Sequence, residues 1–279
     1  MRVWVLPWGL CLLLGYLRPA AAGEPPLLEL GYRSMYNLEF SQAHRYFGDW
    51  EKLHPQDPMA PVSDAAAYLF SEFDRLHILQ TEFFTEDDNF RRRWGLTPDA
   101  NSIRSFLDDL ARGQQKADRI LKASPGDPDA VFATILRLGL HSDYLALIQQ
   151  SYLPAFRDTK ASREMAEKLL SRDPSYADAY LAIGVENYLL SLKPLAVRWL
   201  LRLGGAQTDK NTGIAKLRLT ATNGRYLKPF ARLLLAVAAL RDHDRPQASA
   251  LLGGLAAEFP HNQLYAEELA RLRQEKREP

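Results

Sequence analysis

The feature that most constrains this chain is the period of its apolar residues. From Leu27 onward they recur three and four positions apart, and no run of β-branched residues alternates with polar ones. That period belongs to helices that bury one face, so the fold class is all-α. The pattern predicts helices over 26–36, 39–53, 61–84, 99–123, 128–139, 142–156, 159–172, 176–191, 194–203, 210–222, 228–241, 245–258 and 261–275. Asp57-Pro58, Asp127-Pro128 and Asp173-Pro174 mark turns, because the residue before proline avoids helical angles. Pro194 suits the first turn of a helix, and Gly204-Gly205 suits its end, where glycine takes the left-handed conformation. Short helices joined by short turns make antiparallel neighbours.

With 47% hydrophobic and 25% charged residues, the 279-residue chain has the composition of a folded protein with a sizeable core. Its 35 basic and 34 acidic residues nearly balance, so no basic surface argues for nucleic acid. The N-terminus reads as a signal peptide over 1–22. Arg2 precedes an apolar run over Val3–Leu17, and Ala20 and Ala22 supply the small residues of a cleavage site. The run is short for a bilayer span, which needs about 20 apolar residues. The expected product is an exported chain, periplasmic or secreted, beginning near Gly23. The single cysteine, Cys11, lies in the leader, so cleavage removes disulfide, thiolate and cysteine–zinc chemistry with it.

A repeat is visible within the helical pattern. Residues 24–57 carry Leu27, Leu30 and Gly31 in a first helix, Ala43 and Phe47 in a second, and Pro55 after it. Residues 229–262 carry Leu235 and Ala236, then Ala248 and Leu252, then Pro260. Between them, Ala166–Pro174 ends one such unit, and Tyr180, Ile183 and Gly184 open the next. Small residues let paired helices approach, large ones fill the space between pairs, and proline stops the second helix. This resembles the tetratricopeptide-repeat (TPR) superfamily, in the diverged form found in exported bacterial proteins. Pro55, Pro125, Pro174 and Pro260 do not keep the 34-residue spacing of regular repeats. The expected architecture is therefore an irregular α-solenoid of TPR-like helical hairpins over 23–279. It has insertions at about 59–97 and 190–210 and a polar capping helix at about 261–277.

The resemblance implies a concave inner face that binds a protein or peptide partner. In the repeat frame Tyr32, Met35, Asp178, Leu181, Val185, Tyr188, Phe230 and Leu233 face that groove. The alternative arrangement covers the groove with insertion helices and makes these residues core. The expected function is a protein–protein interaction scaffold or adaptor, with no catalytic residue, metal or cofactor assigned. A rival reading places a ligand-binding or hydrolytic site in 59–97. There Asp74 and His77 share a helix face with Glu82 nearby, and Glu86-Asp87-Asp88 is followed by Arg91-Arg92-Arg93. No H-x-x-x-H, H-E-x-x-H or calcium-loop pattern accompanies them. Asp242-His243-Asp244 reads as a solvated turn. Residues 192–203 are amphipathic and basic. Their leucines fit packing on a neighbouring helix, and Arg198, Trp199 and Arg202 also fit contact with a membrane.

Overall fold

A computed structural model describes residues 26–79 and 97–275. The predicted leader and its cleavage site near Ala22 lie outside these residues, as do Glu82, Glu86–Asp88 and Arg91–Arg93. Among the described residues the chain is all-α and has no strand. In order the helices are α1 (Leu27–Tyr36), α2 (Phe40–Leu53), α3 (Met59–Arg75), α4 (Ala100–Ala123) and α5 (Pro128–Asp143). They continue with α6 (Tyr152–Arg172), α7 (Tyr180–Ser191), α8 (Leu195–Leu203), α9 (Lys210–Asn223), α10 (Lys228–Arg241), α11 (Arg245–Glu258) and α12 (Gln263–Glu275).

Local chemistry sets most boundaries. Asp99, Asp127, Asp209 and Asp244 each stand before a helix, and each accepts a hydrogen bond from the backbone N–H three residues on. That satisfies one of the unpaired donors of a first turn. Pro128 sits directly after its cap, where a missing N–H costs nothing. Gly205 (φ +83°) closes α8 with the Ala206 N–H donating to the Leu201 carbonyl, the doubly bonded cap that glycine favours. The same closure falls on Leu38, His77 and His243 at φ near 60°. Only a rigid surrounding justifies a side chain there.

Three predicted boundaries differ from those observed, one being the break expected at 157–158, where α6 runs unbroken from Tyr152 to Arg172. The helix expected over 61–84 ends at Arg75, because His77 turns the chain with the left-handed closure. The break expected near 140 is absent. Helix α5 runs through Gly139 and on into a π-helical segment, Tyr144–Ile148. The break falls at 149–151 instead, where Gln150 is left-handed and Pro154 occupies the first turn of α6. Proline inside the predicted helix 142–156 was the local signal for that start.

Neighbouring helices pack along the chain. The close pairs are α1 with α2, α3 with α4, α5 with α6, α7 with α9, and α10 with α11. The second helix of each pair also packs on the first helix of the next, and α12 packs on α11. The segment read as an insertion from 59 supplies α3, a full member of this packing. The segment 190–210 carries α8, which interrupts the α7–α9 pair. One close approach shows how tight that pair is. A Cβ added at Gly213 in α9 would lie 2.6 Å from the Tyr188 backbone nitrogen in α7.

The first pair also meets the last. The Tyr36 hydroxyl donates to the Tyr226 carbonyl (3.1 Å), and Asn262 Nδ2 donates to the Tyr36 carbonyl (2.9 Å). Arg225 pairs with Glu29 and His261 with Glu39, both at 2.6 Å. A core of buried residues runs through this closure, from Leu28 and Tyr32 to Leu252, Phe259 and Tyr265. The α5–π stretch, Pro128–Ile148, is apolar and long enough to cross a membrane, but over half of it is buried against this chain's own helices.

Candidate functional site

The residues assigned to the inner groove differ in burial and in what they touch. Tyr32, Met35, Asp178 and Tyr188 are buried. The Tyr32 ring lies 5.0 Å from Tyr226 and 5.4 Å from Phe47, and its hydroxyl accepts from Ser63 (3.0 Å). Asp178 accepts from the backbone N–H groups of Arg225, Tyr226 and Leu227 at 2.9–3.1 Å, and so holds the loop that precedes α10. Burial pushes its carboxyl upward, and these three donors oppose the shift. Tyr188 packs on Gly213, while Leu181 and Val185 are half-buried beside the core.

Only Met35, Phe230 and Leu233 come together around a common space. They line a cavity of about 220 Å³ between the first and last helix pairs, with Tyr265, Asn262 and Glu268 on its other side. Phe230 meets Phe70 edge-to-face at 5.6 Å there. Glu268 is buried and ion-paired with Arg271.

Asp74 is half-buried near the end of α3, and Glu82, the third residue of the rival reading, lies outside the described residues. His77 is the left-handed closing residue of α3, and its side chain is exposed. His243 plays the same part after α10. No group of three His, Cys, Asp or Glu side chains is placed to hold a metal among the described residues. A cluster that sequence reasoning missed joins α2, α3 and α4. His44 Nδ1 lies 2.6 Å from Asp64, and Arg112 joins Asp109 to Glu51. Burial, with the charge of Asp64 adding to it, pushes the Asp109 carboxyl up to about 6 against the pull of Arg112. These side chains span three helices, which suits a cross-helix tie.

The surface feature that stands apart is α8. None of its residues is buried. Leu195, Trp199, Leu200 and Leu203 are 64–76% exposed. At 100° per residue these four share one face with Ala196, while Arg198, Leu201 and Val197 lie on the other side. The apolar stripe therefore points outward, opposite to the packing expected of its leucines. Beside it, Tyr152 and Leu153 at the start of α6 are also exposed. One turn on, Phe156 approaches Gly204, and Lys160 Nζ donates to the Gly204 carbonyl at 2.8 Å.

A buried polar network holds α8 in this pose. Glu186 on α7 is 1% exposed and accepts from Arg163 of α6 (2.9 Å) and from the Gln207 backbone N–H (2.9 Å). Arg163 also reaches Glu167 (2.7 Å) and the Gly205 carbonyl (3.2 Å). Asn187 binds the Gln207 side chain (2.8 Å) and the Asp209 backbone N–H (3.1 Å). Burial raises the Glu186 carboxyl, and Arg163 and the Gln207 N–H counter it. The network ties residues 204–209 to α6 and α7 with few apolar contacts from α8 itself. Glu186, Asn187 and Gln207 carried no signal in the sequence. Against known proteins, no family model, curated protein or solved structure gives a significant match to this chain.

Proposed function

We propose that this chain is an exported, non-catalytic adaptor built as an irregular TPR-like array, and that it works by holding one docking helix out of its surface. The observation that carries this reading is the outward apolar stripe of α8. A folded chain gains about 1.5–3 kcal/mol for each large apolar side chain it buries, so four left together in water on one short helix point to use by a partner. The TPR part of the proposal rests on the succession of helix pairs and on Gly31, Ala43 and Ala248, small and buried at helix contacts. The inner face is a weaker candidate, because Tyr32, Met35, Asp178 and Tyr188 are used inside the chain.

Site-specific photocrosslinking in the source cell tests the reading. A crosslinking side chain at position 200 should form adducts. The same group at position 53, where Leu53 is equally exposed but isolated in sequence from other exposed large apolar residues, should form few. Equal or absent labelling at both positions would defeat the docking role of α8.

A further inference from the structure

Resting on α8 as the docking element, we infer that the surface it docks on is an anionic lipid bilayer. The first support is shape. Leu195, Trp199 and Leu203 follow one another at four-residue intervals, and Ala196 and Leu200 widen the stripe. The stripe forms a ridge rather than a groove. A ridge of this kind inserts shallowly into the headgroup boundary with its axis in the membrane plane. A tryptophan at its centre suits that depth, since indole prefers the boundary between apolar and wet.

The second support is charge. Residues 189–208 contain Lys193, Arg198 and Arg202 and no acid; Lys193 and Arg202 are exposed, while Arg198 lies away from the apolar stripe with its Nε buried. On the neighbouring helix α6, Arg157 is a further exposed cation; the adjacent Asp158 lies 2.6 Å from His141 Nδ1. In a chain whose charges balance overall, the exposed cations Lys193 and Arg202 border α8 and Arg157 lies on adjoining α6. Cations flanking an apolar face complement phosphate headgroups. The same cations count against a second copy of this chain as the occupant. A two-fold contact between α8 ridges brings the arginines of both copies to one seam.

The third support is continuity. Tyr152 and Leu153 lie one turn before Phe156, which approaches the chain at Gly204. They extend the apolar surface beyond Leu203, so two elements touch the bilayer together. The network of Arg163, Glu186 and Gln207 fixes α8 before contact, so docking does not have to order the helix.

Vesicle co-sedimentation tests the inference, using protein purified from its own source so that its N-terminus is in its natural state. The protein should bind vesicles of phosphatidylcholine mixed with phosphatidylglycerol more tightly than phosphatidylcholine alone, and added salt should weaken the binding. Trp emission should shift to the blue on binding, and the shift should vanish in Trp199→Phe. Replacing Trp199 and Leu200 together by serine should lower partitioning at least about tenfold. Arg157→Gln and Arg202→Gln should each lower it roughly fivefold, on anionic vesicles only. Because α8 has no buried residue, the Trp199 and Leu200 variants should melt as the parent does.

Failure to sediment, or sedimentation that the serine variant does not weaken, overturns the lipid assignment. If position 200 crosslinks to a protein while vesicles are not bound, α8 still docks but its partner is a protein. A dimer on gel filtration that Trp199→Ser dissociates makes the partner a second copy. If neither crosslinks nor vesicle binding is found, the docking role of α8 falls as well.

Discussion

Gly213→Ala should destabilise the protein, although the same change in an open helix stabilises it. Alanine in place of a helical glycine gains about 1 kcal/mol of propensity. At Gly213 the new Cβ would stand 2.6 Å from the Tyr188 nitrogen and 2.9 Å from its Cα and Cβ. Carbon atoms pack at about 3.5–4.0 Å, so α7 and α9 must part by something near 1 Å. Backbone cannot swing aside as a side-chain tip can. Tyr188 and Leu217, nearly inaccessible to solvent, would lose contacts along the seam. Overpacking of this kind costs about 1–3 kcal/mol, and parting two helices belongs at the upper end. After the propensity gain, the net loss is about 2 kcal/mol, or about 4–8 °C in melting temperature for a chain of this size. Gly254→Ala is the control. Nothing lies within 4 Å of its added Cβ, and it should gain about 0.5–1 kcal/mol. Thermal melts of both variants, followed by far-UV circular dichroism, read the difference. A Gly213→Ala protein as stable as the Gly254→Ala control would refute the account of the α7–α9 contact.

Two further outcomes follow from the buried polar groups. Glu186→Ala should cost about 1–3 kcal/mol, because Arg163 keeps Glu167 but loses its buried partner and the Gln207 N–H loses its acceptor, and limited proteolysis should then cut first within 192–208. Parent-like proteolysis would show that the network does not hold α8. Asp143 lies where α5 passes into its π-helical segment, and burial pushes its carboxyl up to about 7. A folded-state value above the unfolded one favours the protonated form in the folded chain, so the stability linked to it is present below about pH 4 and is lost as pH rises through 7. Asp143→Asn should therefore stabilise the protein at pH 8 by on the order of 1–3 kcal/mol, trimmed by the part of the side chain left in water, and by little at pH 4. Urea titrations at the two pH values measure this. An equal gain at both would remove the carboxyl as its cause.

The sequence by itself determined the class of structure and most helix ends, because those depend on residues a few positions apart. Apolar spacing, Asp127 before Pro128, and Gly204-Gly205 act within one or two turns and read the same in any surrounding. The α5–α6 break shows the limit of that reading. Gly139 looked like a boundary and is not one, while Pro154 was the boundary signal and lay unread inside a predicted helix. Tertiary structure decided the rest. Glu29 meets Arg225, and Asn37 and Glu39 meet His261, across more than half the chain, and that closure takes Tyr32 and Met35 into the core. Asp178 likewise became the anchor of a distant loop rather than a groove residue. For α8, amphipathicity told that one face is apolar but not which way it points. That direction is set by Arg163, Glu186, Asn187 and Gln207, whose hydrogen bonds fix residues 204–209 just after α8 and leave the stripe facing out. A side chain's periodicity is local, while its partner is chosen by where the whole chain has gone.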